Sequence, residues 1–278
     1  MWYNRGMNIQ KLKQSPRVFS RIFGIEPDKF EELVLQIEPL WQKAEAKRLK
    51  HRRKIRKGSG RKYLLTLEES VAMLLLYTRS YVTHIFLAAL FDIHESGVCR
   101  YFAKVRPVVE SVFDIPTEKT DLREDDILKL VVDATEQRTE RRDKGSGYSG
   151  KRKAETIKTQ IVIDKQGTVR HVSKPVPGNI HDKKLFEKSK VKLPDNAKGD
   201  LAYLGTNVTI PHKSSKLHSL TAKQQLFNTR HSRRRIIIEH VFASLKSYQI
   251  LANRFRGHLE NYHQYFTIVC GLHNFART

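Results

Sequence analysis

Apolar side chains recur at helical spacing through the first third of the chain. A segment that begins near Pro27 carries them at Phe30, Leu33, Val34 and Ile37. Farther on, the same period predicts three consecutive helices: Leu67 to about Tyr81, about Thr83 to Phe91, and a third that is capped by Glu95 or Ser96. Thr66 with Glu69 forms a capping box for the first of these three. The N-terminal part of the chain is therefore predicted to be all-α.

The turn between the second and third of these helices has the residues of a helix-turn-helix. Ala88 is small, Ile93 in the turn is apolar and Val98 follows in the next helix, a spacing that closes a small core. In this interpretation the third helix reads DNA, and its exposed cations are Arg100, Lys104 and Arg106. A dimerisation bundle or a purely structural three-helix bundle has a similar spacing and remains an alternative.

The pattern changes to short β-branched runs after Pro116. Ile127–Val132 is predicted as a buried strand that ends on Asp133. Thr159–Ile163 and Thr168–Val172 flank a turn and predict an antiparallel hairpin. An all-α region followed by a sheet with helices places the chain in the α/β class.

Helical segments follow the predicted strands. Asp182 is placed to cap a short helix, and Ile210–Arg235 is a basic, polar stretch that we expect to be a loop. The tail, Tyr262–Phe275, is predicted as an apolar helix that packs on the sheet. Before the tail, the segment SRRRIIIEHVFASLK predicts a helix whose apolar face is formed by Ile237, Ile238, Val241 and Leu245.

Three charged side chains of this helix lie on one narrow stripe. Relative to Glu239, Arg235 falls roughly 40° away and Lys246 roughly 20° away, because an α-helix turns about 100° per residue. The plainest interpretation is a surface ion pair between Arg235 and Glu239. However, Arg before Glu is the less favourable order on a helix. The position of Glu239 therefore suggests that its partners are acids elsewhere in the chain.

The net charge indicates a polyanionic partner. The 278 residues include 52 Lys and Arg against 29 Asp and Glu, a formal charge of +23. An excess of this size favours nucleic acid over a membrane. It is dense in Lys43–Lys62 and in a Gly-rich loop with Lys151, Arg152 and Lys153, whereas the helix-turn-helix region is nearly neutral, which weakens its assignment to DNA binding.

Nothing in the sequence indicates secretion or insertion into a membrane. Cys99 and Cys270 form no CxxC pair, no signal peptide precedes the first helix, and the apolar run Met73–Tyr77 is far shorter than the ~20 residues a bilayer needs. We therefore expect a cytoplasmic protein in a reducing compartment.

Three acids form a candidate site. Asp133 lies at a predicted strand end, Asp200 precedes a Gly-containing turn, and Glu239 lies on the helix described above. Taken singly, each acid is more often a cap or an ion-pair partner. Together, carboxylates suit Mg²⁺ or Mn²⁺, and two such ions can support phosphodiester cleavage. With the positive charge, the three acids indicate metal-dependent chemistry on nucleic acid.

The sequence resembles the DDE transposases of bacterial insertion sequences, in the branch that has a transposase helix-turn-helix and a DDE superfamily endonuclease domain. The resemblance runs from about Thr66 to the C-terminus, through separate motifs in the right order: VVDATEQ, YSGKRKAETIKTQIVID, GNIHDKKLF, GDLAYLG, IIIEHVFASLK and CGLHNF. It implies a helix-turn-helix in residues 63–113 and an RNase H-like mixed-sheet catalytic domain in 114–278. Residues 1–62 are set apart by their charge as a basic N-terminal helical region with a linker.

The resemblance also implies a role for each charged residue. Asp133 would lie on the first strand, Asp200 after the fourth and Glu239 on a helix, together binding two divalent ions, Mg²⁺ or Mn²⁺. Arg235 and Lys246 match the end of an R-x3-E-x6-K signature and would contact DNA phosphates. Related families begin this signature with Tyr, where this chain has Ser232.

A transposase of this kind would bind double-stranded DNA, both the ends of its element and the target. Two ends must be held together, which implies a homodimer or a higher oligomer on DNA. A catalytically inactive, transposase-derived DNA-binding protein and a plain metal-dependent DNA endonuclease remain alternatives.

Overall fold

The computed structural model describes residues 6–50, 63–122, 130–140, 147–214 and 219–277. The chain divides into two compact units. Unit 1 comprises Met1–Asp114, Tyr248–Ile250 and Gln264–Thr278, and unit 2 comprises Ile115–Ser247 and Leu251–His263. Helices form unit 1, and unit 2 adds a sheet, so the α/β class is confirmed. Within the described ranges, no helix has the length and apolar character needed to cross a membrane.

The described N-terminal part of unit 1 is all-α, as predicted, although the two helices before Pro27 were not predicted individually. Its helices are α1 (Ile9–Lys13), α2 (Pro16–Phe23), α3 (Pro27–Lys50), α4 (Leu67–Ser80), α5 (His84–Leu90) and α6 (Glu95–Phe113). The capping box of Thr66 and Glu69 at the start of α4 is confirmed. At α6, however, the cap is His94, whose ring accepts a hydrogen bond from the Ser96 backbone N–H. The predicted cap was wrong by one residue.

The core expected for a helix-turn-helix is present between α5 and α6. Leu87, Ala88 and Val98 are buried, and Ile93 in the turn is half-buried. The Ile93 backbone N–H donates to the Ala88 carbonyl at 3.0 Å, which fixes the turn.

The C-terminal helix, α10 (Leu259–Phe275), packs differently from the prediction over most of its length, and only its start, Leu259–His263, belongs to unit 2, which contains the sheet. Its residues from Gln264 onward belong to unit 1 and contact α6 rather than a sheet. Arg106 of α6 donates to Gln264 at 2.7 Å, and the rings of Phe113 and Phe275 meet edge to face at 6.3 Å. The apolar pattern of the tail predicted a buried helix but did not specify its partner.

Helices α6 and α10 pack so closely at Gly271 that adding one methyl group there tests their packing. A Cβ at Gly271 would overlap the ring of Phe113. We expect Gly271→Ala to lower the free energy of unfolding by about 1–3 kcal/mol, the usual cost of overpacking. Gly150→Ala, where a Cβ meets nothing within 4 Å, is the control and should leave stability unchanged. Thermal unfolding followed by circular dichroism measures both, and equal stability of the two variants would contradict this packing.

Unit 2 is built on one long strand. The strands are β1 (Val131–Arg138), β2 (Tyr148–Ser149), β3 (Ala154–Ile163), β4 (Val169–Val172) and β5 (Val176–Pro177), and β3 pairs antiparallel with each of the others. The predicted hairpin of β3 and β4 is confirmed, with Asp164 accepting turn hydrogen bonds from Gln166 and Thr168. The strand prediction Ile127–Val132 begins outside the described residues, and Asp133 lies inside β1 rather than at its end.

Three further helices complete the architecture: α7 (Asp182–Ser189), α8 (Ala222–Leu245) and α9 (Gln249–Ala252). The cap of α7 is His181, so the assignment of Asp182 as the cap was wrong; Asp182 is the first helical residue. Helix α8 begins well before Ser232, inside the stretch expected to be a loop. A capping box of Thr221 and Gln224 starts it there.

A compact apolar core supports β1 and the segment that follows α7. Its members are Leu122, Leu130, Val132, Val162, Phe186, Val191, Leu193, Ala197, Tyr203 and Val208. This core anchors both Leu130–Val132 and Ala197, so the residues that follow each of them have fixed positions.

Candidate active site

Backbone pairing brings Asp133 and Asp200 together. Val131 and Lys198 form a parallel bridge, in which the Val132 N–H donates to the Lys198 carbonyl and the Lys198 N–H to the Leu130 carbonyl, both at 2.9 Å. Asp133 and Asp200 each lie two residues beyond this bridge. Because side chains alternate along extended backbone, the two carboxylates are placed on the same face of neighbouring segments.

Both oxygens of Asp133 have hydrogen-bond donors. Oδ1 accepts from the backbone N–H of Ala134 at 2.7 Å, and Oδ2 accepts from Nη2 of Arg235 at 3.0 Å. The side chains of Asp133 and Arg235 are only 18% and 20% exposed. Arg235 therefore pairs with Asp133, not with Glu239, and the simple surface ion pair on α8 is not formed.

The electrostatics of Asp133 reflect its burial beside a second acid. Burial raises the pKa of the Asp133 carboxyl above its usual range, and repulsion from Asp200 raises it further. The Ala134 N–H and the Arg235 guanidinium act in the opposite direction. This carboxylate is thus held in a place where its charge needs a nearby cation.

Asp200 is positioned by a short helical turn. It caps the 3-10 turn Leu201–Tyr203, and its Oδ1 accepts from the Ala202 N–H at 2.9 Å. The side chain is half-buried. Its backbone continues the strand-like path from Lys198, which keeps the carboxylate near Asp133.

Glu239 lies on α8 one turn after Arg235, on the same stripe of the helix, and its side chain is exposed. Among the described residues, no three His, Cys, Asp or Glu side chains converge closely enough to hold a metal ion. Asp133 and Asp200 supply the carboxylate oxygens that Mg²⁺ and Mn²⁺ prefer. The donor chemistry of this pair fits a divalent ion, and the position of Glu239 as a third ligand stays a prediction.

Two of the cations expected to contact DNA come together at the far end of α8. Lys246 follows the last residue of the helix, and burial lowers the pKa of its ammonium. The positive charge of Arg152, from the turn between β2 and β3, lowers that pKa further. Lys151, Arg152 and Lys153 are all exposed. These three cations, which we call the β2–β3 basic turn, thus form one cationic surface with Lys246, although they lie far from it in the sequence.

The cations of the helix-turn-helix differ in exposure. Arg100 is exposed, and its side chain donates to the backbone carbonyl and the hydroxyl of Ser96. Lys104 is half-buried, with its Nζ 2.6 Å from the Tyr63 hydroxyl. Arg106 is 8% exposed and donates to Gln264 and Tyr265. The expectation that Arg106 is exposed to DNA was wrong, because its guanidinium serves the packing of α6 on α10.

The N-terminal basic segment is described only in part. Lys43 and Lys47 are exposed on α3, while Arg48 makes a two-pronged ion pair with Glu45 at 3.0 and 2.7 Å. Residues 51–62 lie outside the described residues. The binding of a polyanion by the basic run Lys43–Lys62 therefore stays a prediction.

Two features near the acids were not expected from the sequence. Tyr203 is fully buried, and burial raises the pKa of its phenol well above the usual value, with Asp133 and Asp182 adding to the rise. Lys158 of β3 forms an ion pair with Asp182 at 2.8 Å and donates to the Ile180 carbonyl at 2.7 Å. The available signal was the aromatic residue three positions after Asp200, but local spacing gives no indication of burial.

Paired carboxylates on neighbouring strand segments, a cationic helix beside them and a separate helix-turn-helix define a protein of the nucleic-acid-processing class. Two family models match the chain: DDE superfamily endonuclease over residues 132–274, and helix-turn-helix of DDE superfamily endonuclease over residues 63–114. The chain belongs to the DDE family of insertion-sequence transposases. The predicted helix-turn-helix is thereby confirmed.

Two proteins are similar to this chain over most of its length. A protein of Microchaete diplosiphon named "Probable transposase for insertion sequence element IS702" is 31% identical over 282 residues, covering 97% of this chain and 98% of the relative. A protein of Streptomyces albus G named "Putative transposase for insertion sequence element IS112" is 28% identical over 225 residues, covering 79% of this chain and 84% of that protein. No solved structure matches the chain.

Proposed function

We propose that this transposase binds the terminal inverted repeats of its own insertion element, cleaves DNA there and joins the freed end to target DNA. The observation that carries the proposal is the pairing of Val131 with Lys198, which places Asp133 and Asp200 side by side beside a cation from α8. Family membership supports an RNase H-like arrangement of unit 2, with β1 as the first strand and the carrier of Asp133.

Glu239 would be the third acid of the site. It follows Arg235 by one helical turn, and Arg235 already reaches Asp133, so the stripe that carries Glu239 is directed toward β1. Its side chain makes no hydrogen bond or ion pair within the described part of the chain, which leaves its carboxylate available as a ligand.

The family generally uses divalent metal ions. Asp133, Asp200 and Glu239 would hold two of them, Mg²⁺ or Mn²⁺. When bound, such ions polarise water and stabilise charge on the leaving oxygen. The protein's own contribution is to fix three carboxylates on a strand, a turn and a helix, and to keep Asp133 largely out of solvent.

The reaction would consist of two in-line substitutions at phosphorus. In the first, water attacks the phosphodiester at the element's end and the 3′-oxygen leaves as a hydroxyl. In the second, that hydroxyl attacks a phosphodiester of the target and displaces the target's own 3′-oxygen. Because both steps have the same geometry, one set of acids can serve both.

DNA would be held by the exposed cations of each unit. Arg100 and Lys104 on α6 would contact the element's end, and the β2–β3 basic turn with Lys246 would contact the backbone near the cut. Arg235 would also bind a phosphate there. Holding two ends together would require a homodimer or a higher oligomer on DNA.

The assay that tests the proposal is incubation with a linear duplex that carries the element's end, in Mg²⁺, in Mn²⁺ and in EDTA. Metal-dependent nicking at the end followed by strand joining supports it. An absence of nicking with intact DNA binding would instead indicate a catalytically inactive DNA-binding protein. Nicking without joining would indicate a plain endonuclease.

A further inference from the structure

Arg235 occupies the position in unit 2 where a buried carboxylate needs a cation. Its Nη2 lies 3.0 Å from Asp133 Oδ2, and both side chains are about one-fifth exposed. The second oxygen of Asp133 is taken by the Ala134 N–H. A carboxylate so little exposed to solvent stays ionised only beside a positive charge. The negative charge of Asp200 nearby makes that positive charge more necessary.

The guanidinium of Arg235 is only partly satisfied by this arrangement. Arginine has five N–H donors in a planar fork. One donates to Asp133, and the Nε–H is buried without a hydrogen-bond partner in the described part of the chain. A phosphate offers this fork a two-pronged, charge-assisted partner, which is the geometry that guanidinium binds best. Arg235 therefore has a better acceptor available once DNA is present.

We propose that Arg235 is a resident counter-ion of Asp133, which a divalent ion displaces, and that the displaced guanidinium then binds the DNA phosphate. This inference rests on the proposed function, because it takes Asp133 as a metal ligand. It makes Arg235 a positioning residue that couples metal binding to DNA binding. Without metal, the pair keeps a buried carboxylate compensated; with metal, it frees a cation for the substrate.

The neighbouring cations do not share this role. Arg234 precedes Arg235 directly but is exposed and has no ion pair within the described residues. Burial and the charge of Arg152 lower the pKa of Lys246, which follows the end of α8 and not the turn that carries Arg235. Arg234 therefore provides a matched control that removes one positive charge from the same helix without touching Asp133.

The first test is the affinity of the full-length protein for Mn²⁺ in the absence of DNA, from the signal of free Mn²⁺ in electron paramagnetic resonance. If the pair is formed in about nine-tenths of molecules, its loss should tighten the apparent dissociation constant about tenfold. We expect this for Arg235→Gln and for Arg235→Met, which keeps the aliphatic length, and less than about twofold tightening for Arg234→Gln. Circular dichroism verifies that the variants are folded.

Asp133→Asn separates failure of this inference from failure of the proposed function. If Asp133 is a ligand, Asp133→Asn weakens Mn²⁺ binding strongly; unchanged binding would contradict the metal site itself. If that loss is seen but the Arg235 variants bind Mn²⁺ no more tightly than Arg234→Gln, the metal site stands and the counter-ion role is overturned.

A second measurement tests the coupling to DNA. Duplex affinity is followed by fluorescence anisotropy at matched ionic strength, with and without Ca²⁺, which occupies oxygen sites. Divalent ions also weaken DNA binding generally by screening, and this effect is common to all variants. We expect Ca²⁺ to favour DNA binding by wild type at least about threefold more than by Arg235→Gln. An equal effect of Ca²⁺ on both proteins would overturn the coupling.

Discussion

Replacing Asp133 by Asn is expected to reduce the rate of DNA cleavage about 10³-fold or more, because bound metal ions supply several kcal/mol of transition-state stabilisation and each ~1.4 kcal/mol is a factor of ten. The same loss is expected for Asp200→Asn. DNA affinity should not fall in either variant, since neither removes a cation and Asp133→Asn takes away the charge that holds the guanidinium of Arg235. The measurement is single-turnover nicking of an end duplex at saturating protein, with binding followed in parallel.

The fold should tolerate the change at Asp133. Asn has nearly the same shape, can accept from the Ala134 N–H, and removes the repulsion with Asp200 that raises the pKa of Asp133. Asp195→Asn is a suitable control, since Asp195 is an exposed acid of unit 2. Cleavage by Asp133→Asn within a few-fold of the control would remove Asp133 from the site.

Neutralising the β2–β3 basic turn is expected to weaken DNA binding about 10²-fold at ~0.1 M salt, since each phosphate contact contributes about 0.9 to the logarithmic salt slope. The variant combines Lys151→Gln, Arg152→Gln and Lys153→Gln, and its salt slope should be less steep by about 2–3. The loss should be similar for different duplex sequences, because phosphate contacts carry no sequence information. Fluorescence anisotropy over a range of salt concentrations measures both quantities.

A charge-matched control tests whether the position of these cations matters. Lys165, Lys184 and Lys188 are also exposed in unit 2, and changing all three to Gln removes the same net charge. If the salt slope falls equally in both triple variants, the turn between β2 and β3 makes no more phosphate contacts than the other exposed lysines of unit 2.

Local patterns predicted much of unit 1 and part of unit 2. The helices α4, α5 and α6 and the hairpin of β3 and β4 were predictable because periodicity, caps and turn residues act within a few positions. The start of α8 was missed because Ala222–Arg235 is largely polar and carries no continuous apolar period. Its signal was present in the capping box of Thr221 and Gln224, where a polar stretch still begins a helix.

Partners that lie far apart in the sequence could not be predicted in this way. Arg106 has the spacing of an exposed recognition-helix cation, yet it is buried because α10 packs over it. Arg235 has Glu239 one turn away, yet it pairs with Asp133 on β1. The partners are 158 and 102 positions apart in the sequence, and no local period encodes such a contact.

The candidate site was likewise predicted in part from local patterns and depends in part on long-range contacts. The sequence indicated three acids by their positions relative to strands and helices, and the pairing of Val131 with Lys198 accounts for the proximity of two of them. The contribution of Glu239 depends on a side chain that is exposed and makes no contact with the other two. Its membership of the site is therefore the central claim that needs a direct test.

The most direct measurement is the rate of Mg²⁺-dependent nicking of an end duplex by Glu239→Gln, compared with wild type at equal occupancy of the DNA. The substitution keeps the length of the side chain and removes only its charge. If Glu239 acts with Asp133 and Asp200, nicking falls about 10³-fold or more while DNA affinity stays within about twofold of wild type. Nicking by Glu239→Gln at the wild-type rate would contradict a site built from these three acids.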